Sequence, residues 1–169
     1  MKIGILGSGI VGQTLGSGFI KHTHQVKIGT GNPAKLNDWL SISGTNGSVG
    51  SFADAASFGE IIVLAVKGTA ALDVLGKAGK ETLKNKTVID TTNPIVELPP
   101  VNGVLQYFTR QNYSLMEELQ AKYPQANFVK AFSCVGNALM VNPNVGGQKP
   151  TMFIAGNDDG AKSQVKKIL

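Results

Sequence analysis

The sequence predicts an α/β fold in which helices cover both faces of a doubly wound, mostly parallel sheet within a single domain. Short apolar runs alternate with segments of helical periodicity along the whole chain, which indicates repeated right-handed βαβ crossovers. The run IIVLAV at 61–66 is continuously apolar and largely β-branched, as is typical of a central strand buried on both faces. A length of 169 residues suits one domain with a substantial core.

The first half of the chain gives a regular series of elements. KIGIL and QVKIG are short apolar runs that predict strands, and IVGQTLGSGFIK between them carries apolar residues at helical spacing. The next helix is expected to start with Asn32 as its cap and Pro33 at its first position, where proline is favoured. In order, we expect a strand at 2–6, a helix at 10–21, a strand at 25–29, a helix at 32–43, a strand at 47–52 and a helical turn at 53–57.

The second half continues the alternation from the strand at 61–66. In order, we expect a helix at 69–75, a strand at 87–90, a helix at 114–124, strands at 127–132 and 151–156, and a last helix at 158–169. Two stretches, 93–113 and 134–150, break this rhythm. Both follow the carboxyl end of a strand, which is where doubly wound sheets bind ligands.

Composition and charge exclude several classes of protein. The net charge of +5 comes from dispersed lysines such as Lys77 and Lys84, without a basic stripe interleaved with aromatic residues, so we expect no nucleic-acid partner. No apolar run approaches the roughly 18 residues that span a bilayer, so no membrane association is expected. The single cysteine, Cys134, excludes an internal disulfide and fits a reducing, cytoplasmic location.

The first turn carries a glycine pattern that predicts a phosphate-binding site. Gly7, Gly9 and Gly12 form G-x-G-x-x-G directly after the first strand and at the start of the first helix. In that context Gly7 permits the tight turn, Gly9 lets the backbone approach a pyrophosphate, and Gly12 allows the helix to contact the strand closely. The N–H groups at the helix start then face the anion, which predicts a Rossmann-like dinucleotide site.

The end of the second strand indicates which dinucleotide is bound. A carboxylate there would accept hydrogen bonds from the ribose 2′-OH and repel a 2′-phosphate. This chain has Thr30, Gly31 and Asn32 instead, with Lys35 just beyond them. Neutral donors and a nearby cation favour a phosphate, so we expect a preference for NADP over NAD.

Five segments in order carry a family resemblance over nearly the whole chain: MKIGILGSGIVGQTLGSGFI, VKIGTGNPAKL, IIVLAVKG, VIDTTNPI and VKAFSCVGNALMVNP. Together they resemble the NADP oxidoreductase family that includes NADPH-dependent reductases of the 8-hydroxy-5-deazaflavin coenzyme. The resemblance implies hydride transfer between NADP(H) and a deazaflavin- or flavin-like acceptor, a small molecule. In such a reaction the cofactors carry the chemistry and the protein aligns them.

The resemblance also implies a set of contacts for the dinucleotide. Ser8, Gly9, Ile10 and Val11 would contact the pyrophosphate, and Thr30, Gly31 and Lys35 would surround the 2′-phosphate. Val66, Lys67 and Ala71 would flank the adenosine and diphosphate, Asn93 and Pro94 would lie by the nicotinamide, and Ala131 and Phe132 would border the acceptor.

Three departures from the family pattern qualify this assignment. Relatives usually have an arginine where this chain has Gly31, which implies weaker NADP affinity. Lys67 stands where an uncharged residue is common, and it either restores phosphate affinity or is solvated. Relatives also continue past Leu169 through a further strand and helices, so we expect 1–169 to be an NADP-binding domain that lacks part of the acceptor pocket and a homodimer contact.

No catalytic residue and no metal site is expected from the sequence. The two histidines, His22 and His24, lie in the turn before the second strand, away from the expected cleft. Two alternative functions stay open: an NADP-dependent reductase of a small imine or keto substrate, and a non-catalytic dinucleotide sensor. The sequence leaves the hydride acceptor undetermined between these readings.

Overall fold

A six-stranded parallel sheet forms the centre of the computed structural model, which describes residues 1–169. The strands are β1 (Lys2–Leu6), β2 (Gln25–Gly29), β3 (Gly47–Gly50), β4 (Ile61–Leu64), β5 (Thr87–Asp90) and β6 (Asn127–Lys130). Their order across the sheet is β3-β2-β1-β4-β5-β6, and every neighbouring pair is parallel. The order reverses between β1 and β4, which opens a crevice at their carboxyl ends. The predicted fold class is confirmed.

Seven α-helices cover the two faces of this sheet. They are α1 (Ile10–Lys21), α2 (Asn37–Ile42), α3 (Phe52–Phe58), α4 (Ala71–Ala78), α5 (Lys80–Leu83), α6 (Leu115–Lys122) and α7 (Asp159–Lys166). None of them has the length and apolar character needed to cross a bilayer.

The sheet separates two apolar clusters, one for each layer of helices. On one face Leu15 of α1, Trp39 of α2 and Val165 of α7 contact alternate residues of the central strands. On the other face Ala55 of α3, Leu75 of α4 and the apolar side of α6 form the second cluster. The central strands are buried on both sides, which explains why β4 is a continuous apolar run.

Three strands end two residues earlier than their apolar runs predict. β3, β4 and β6 stop at Gly50, Leu64 and Lys130, and the residues that follow turn out of the ladder. All three exits lie at the carboxyl edge of the sheet. After β4 and β6 the apolar character of the following residues reflects burial in the loops there, since Ala65, Ala131 and Phe132 are all buried.

The predicted strand at 151–156 is wrong. This segment crosses the free edge of β6 in the antiparallel direction and pairs through one residue, Ala155, with Lys130. Met152 and Ile154 pack against the core and Phe153 is 74% exposed, so the apolar run alternates between core and solvent although only one residue pairs with β6. β6 ends at Lys130, and the chain turns at Phe132, which has φ of +63°.

The predicted cap of the second helix is also wrong. The segment expected as one helix is a 3₁₀ turn (Pro33–Leu36) followed by α2, and the Asn32 side chain caps neither. The backbone N–H of Asn32 instead donates to the hydroxyl of Thr30 at 3.0 Å. Pro33 does occupy the first position of the turn, as predicted.

Candidate functional site

A cleft of about 960 Å³ opens at the carboxyl edge of the sheet, where the strand order reverses. Its walls are the loops that follow β1, β2, β4 and β5. Twelve of the residues predicted to bind the dinucleotide line it: Gly7, Ser8, Gly9, Ile10, Val11, Thr30, Gly31, Asn32, Lys35, Val66, Lys67 and Asn93. The volume lies at the upper end of the usual range for small-molecule sites.

The three glycines of the first turn have different structural roles. Gly7 has φ of +130°, and a Cβ there would lie 2.2 Å from the carbonyl oxygen of Ala65. A Cβ at Gly12 would lie 2.1 Å from the carbonyl oxygen of Gly7. At Gly9 no protein atom lies within 4 Å of that position. The fold therefore requires Gly7 and Gly12, whereas Gly9 leaves space open toward the cleft.

The start of α1 fits an anion at that open space. Gly9 is the N-cap of this helix, no side chain caps it, and its first turn holds no acidic residue. The first N–H groups of an α-helix have no partner within the helix. They are free here to bind a phosphate group, and the helix dipole adds to the attraction.

A hydroxyl pair connects the loops after β1 and β2. The Thr30 Oγ1 donates a hydrogen bond to Ser8 Oγ at 2.9 Å, although Thr30 itself is only 7% exposed. Gln13 Nε2 donates to the carbonyl oxygen of Ser8 at 2.9 Å and fixes the same turn from the helix. Lys35 is exposed beside this pair and forms no salt bridge. This end of the cleft thus combines neutral donors with an unpaired cation.

An ion pair crosses the mouth of the cleft between the loops after β4 and β5. Lys67 Nζ lies 2.8 Å from Glu97 Oε2, and Thr69 Oγ1 donates to the other carboxylate oxygen at 2.9 Å. The pKa of the Glu97 carboxyl lies below its ordinary value, because Lys67 and Thr69 both donate hydrogen bonds to the ionised form. Lys35, Lys67 and Glu97 are the charged residues of the lining.

The far end of the cleft is formed by the loop after β5. Thr91, Thr92 and Asn93 line it, and the apolar residues Ile95, Val96 and Leu98 continue the wall. The Asn93 side-chain amide donates to the carbonyl oxygen of Ser133 at 2.9 Å. This end is less polar than the Ser8–Thr30 end, so the two ends differ in the ligand groups that they can hold.

Residues 2–94, more than half of the chain, match the family described as NADP oxidoreductase, coenzyme F420-dependent. The chain belongs to this family. The resemblance seen in the sequence is confirmed, and the protein is an NADP-linked oxidoreductase. Among curated proteins, none matches the sequence.

Several solved structures share the fold of this chain. A candidate F420-dependent NADP reductase from Arthrobacter sp. FB24 is 32% identical, with a TM-score of 0.90 over 99% of this chain and 79% of that one. An imine reductase from Streptomyces aurantiacus is 13% identical (TM-score 0.73; 99% and 51% covered). Pyrroline carboxylate reductase from Plasmodium falciparum, solved with NADP bound, is 17% identical (TM-score 0.62; 99% and 53% covered). The last two show the fold alone.

Five residues assigned by the family resemblance or the glycine pattern do not line the cleft: Gly12, Ala71, Pro94, Ala131 and Phe132. Ala71 and Ala131 are completely buried in the two apolar clusters. Phe132 is 4% exposed and has φ of +63° at the turn after β6. Ala71, Ala131 and Phe132 are thus part of the apolar core in the structure and are not exposed to the cleft.

Other lining residues were missed by the sequence analysis. Ile95–Leu98 belong to the stretch 93–113, whose break in rhythm was the available signal, whereas no residue of 134–150 lines the cleft. Phe52 and Gly68 also line the cleft. Phe52 is the first residue of α3 and Gly68 is the first residue of a 3₁₀ turn, and neither belongs to a sequence motif that indicates a ligand.

The two histidines lie away from the cleft, as predicted. His22 is exposed and its Nε2 lies 3.2 Å from Asn142 Oδ1. His24 precedes β2 at the amino edge of the sheet, and burial, followed by the charge of the chain's amino group, lowers its pKa. Neither ring can reach a ligand at the opposite edge.

Proposed function

We propose that this protein transfers hydride between NADP(H), bound in the cleft, and a deazaflavin- or flavin-like acceptor. The observation that carries the proposal is the contrast between the two ends of the cleft. One end offers free helix N–H groups, hydroxyls and an unpaired lysine, and the other offers an apolar wall beside Thr92 and Asn93. A dinucleotide with its phosphates at the first end would extend its nicotinamide toward the second.

The residues present fit the phosphate groups of NADP. Gly9 leaves open space at the start of α1, where a pyrophosphate would be held by backbone N–H groups. Thr30, Gly31, Asn32 and Lys35 would surround the 2′-phosphate, and no carboxylate is present there to repel it. Space is also open around Gly31, so a phosphate could approach its backbone closely.

Val66 and Lys67 would flank the adenosine and diphosphate. Both line the cleft directly after β4, and Lys67 is held by Glu97 in the free protein. Glu97 is the one acidic residue of the lining. Lys67 can therefore bind a phosphate only if it shares its contact with Glu97 or exchanges that contact for one with the phosphate.

NADPH supplies the hydride when it is bound, and the protein binds and orients the reactants. The hydroxyl protons nearest the acceptor end are already used within the protein. Thr91 Oγ1 donates to the carbonyl oxygen of Leu64, and Thr92 Oγ1 donates to Asp90. No histidine or cysteine lines the cleft. This supports a reaction that needs no proton from a side chain, as with a deazaflavin or flavin.

The imine or keto alternative requires protonation of the product nitrogen or oxygen. The engaged hydroxyls of Thr91 and Thr92 make this the weaker proposal. A non-catalytic sensor would bind the dinucleotide in the same cleft without turnover. Homodimer formation and a cytoplasmic location remain predictions, and sedimentation of the purified protein tests the first.

Binding and turnover measurements separate these functions. We expect calorimetry to give tighter binding of NADPH than of NADH, and oxidation of NADPH when the 8-hydroxy-5-deazaflavin coenzyme or FMN is added. Turnover with imines or keto acids but not with either flavin-like acceptor would replace the proposal with the alternative. Binding without turnover on any of these acceptors would favour the sensor. Gly9→Val is the control that should lose all NADPH-dependent signals.

A further inference from the structure

The loop between β5 and the apolar wall of the cleft is held by a buried ion pair. Asp90, the last residue of β5, is completely buried, and Lys130 is its register partner at the end of β6. Lys130 Nζ lies 2.7 Å from Asp90 Oδ2, and the lysine side chain is 24% exposed. The pair lies directly beneath Thr91, Thr92 and Asn93, but neither member lines the cleft.

Three hydrogen bonds connect this pair to Thr92. Both the backbone N–H and the hydroxyl of Thr92 donate to Asp90 Oδ1, at 2.9 and 2.7 Å. The carbonyl oxygen of Thr92 accepts from Lys130 Nζ at 2.6 Å, and the same ammonium donates to Asp90. Every polar group of Thr92 is therefore fixed by one of the two charged residues.

The next residue, Asn93, is held by further contacts of its own. Its side-chain amide is bound to Ser133, and its carbonyl lies so close to Gly68 that a Cβ there would be 2.3 Å from the oxygen. Asn93 is thus held between the loops after β4 and β6, while Thr92 is held from below.

We propose that Asp90 and Lys130 are positioning residues, which act on the ligand only through the backbone of Thr92 and Asn93. The inference deepens the proposed function, since it assigns them to the nicotinamide end of the cleft. A buried ion pair contributes little net stability compared with apolar residues of the same size. A role in geometry accounts for one at this place in the sheet.

Hydrogen exchange of the free protein tests, without any ligand, whether the ion pair holds the backbone of Thr92 and Asn93. In Lys130→Met the carbonyl of Thr92 loses its partner and Asp90 loses its counter-charge. We expect exchange across 91–96 to accelerate about tenfold or more, with the strands β1 and β2 unchanged. Lys122→Met is the control, because it removes an exposed lysine of α6 whose contact with Glu118 is 3.7 Å long. The control should exchange like the wild type.

NADPH alone is the probe that tests whether the ion pair acts on the nicotinamide end of the cleft. We expect its affinity for Lys130→Met to stay within about twofold of the wild type, because the phosphate contacts share no partner with Lys130. The fluorescence of bound NADPH, which reports the surroundings of the nicotinamide, should lose most of its enhancement over free NADPH. Lys130→Arg, which keeps a charged donor, should restore part of it.

Three results would overturn the proposal: unchanged exchange at 91–96, unchanged fluorescence of bound NADPH, or affinity and fluorescence lost in equal proportion. If Lys130→Met does not fold, hydrogen exchange of Thr92→Val tests the proposal instead. This variant removes the hydrogen bond from the Thr92 hydroxyl to Asp90 and leaves the ion pair in place. Failure of the wild type to bind NADPH would contradict the proposed function and leave the exchange result standing. The two proposals can therefore fail separately.

Discussion

Lys67 Nζ lies 2.8 Å from Glu97 Oε2, so the cation that follows β4 and the acid that follows β5 neutralise each other at the mouth of the cleft. Both side chains are more than half exposed, at 71% and 55%, so salt should screen the contact. The free protein thus keeps one of its two cleft lysines occupied, and only Lys35 is available to an incoming anion.

Glu97→Gln should tighten dinucleotide binding. The substitution releases Lys67 and removes the only negative charge from the cleft lining, so affinity should rise at most about fivefold, the range of an exposed charge interaction. NADP and NAD should gain equally, because the 2′-phosphate lies elsewhere in our proposal. Titration calorimetry at low and high salt measures the effect. Asp73→Asn, which breaks a similar pair with Lys77 on α4, is the control and should change nothing; weaker binding by Glu97→Gln would show that the pair organises the site.

Lys35→Ala should separate NADP from NAD. The loss of a charge-assisted hydrogen bond costs about 1–3 kcal/mol, and only the dinucleotide with a 2′-phosphate should show it. Gly31→Arg should act in the opposite direction, since no atom lies within 4 Å of the position of a Cβ at Gly31. Both variants are titrated with NADP and NAD, with Lys80→Ala as a matched surface control. Equal losses for the two dinucleotides would place the 2′-phosphate away from Lys35.

Gly9→Val and Gly12→Val should fail in different ways. A Cβ at Gly9 has no protein atom within 4 Å, so the melting temperature of Gly9→Val should be near that of the wild type while NADPH binding is abolished. Valine at Gly12 meets the carbonyl of Gly7, and overpacking of this kind typically costs about 1–3 kcal/mol. Circular dichroism and calorimetry on both variants distinguish the cases. Retained binding in Gly9→Val would show that the phosphate site has been assigned to the wrong turn.

The ionised carboxylate of Asp54 should stabilise the folded protein at neutral pH, and this stabilisation should be lost in acid. Ser51 and Asp54 form a capping box at the start of α3, and hydrogen bonds from the Ser51 hydroxyl and N–H lower the pKa of Asp54. A lowered pKa in the folded state gives stability that is present above the unfolded pKa and is lost as pH falls through the folded one. Asp54→Asn should therefore melt earlier than the wild type at neutral pH, and the difference should shrink in acid. A difference that is constant with pH would assign the effect to packing.

Local patterns predicted the parts of the fold that are bounded by clear breaks. β1, β2, β5 and α1 have the predicted bounds, because turn residues or glycines flank each apolar run. The segment 151–156 has a similar apolar run, yet whether a ladder forms depends on the partner edge, which the local sequence does not contain. The same limit applies to Asn32. Its backbone N–H donates to the hydroxyl of Thr30, and its side chain does not cap the helix.

The site divides in a similar way. That Gly7, Gly9, Thr30 and Lys35 lie together in the cleft was predictable, because they belong to one short βαβ unit with known geometry. The pairs Lys67–Glu97 and Asp90–Lys130 join residues 30 and 40 positions apart. The first depends on an irregular loop, and the second on the register of β5 against β6, so neither follows from periodicity.

The reversal of strand order assigns the two ends of the cleft to separate stretches of the gene. Residues 7–35 supply the end where our proposal puts the phosphates, and residues 91–98 supply the apolar end. The two stretches are joined across the cleft by contacts of the β4 loop. If the proposal is correct, cofactor preference and acceptor preference can diverge independently during evolution. A chimera that exchanges 93–113 with a related reductase should change the acceptor and keep the dinucleotide, which makes the fold a natural scaffold for engineered reductases.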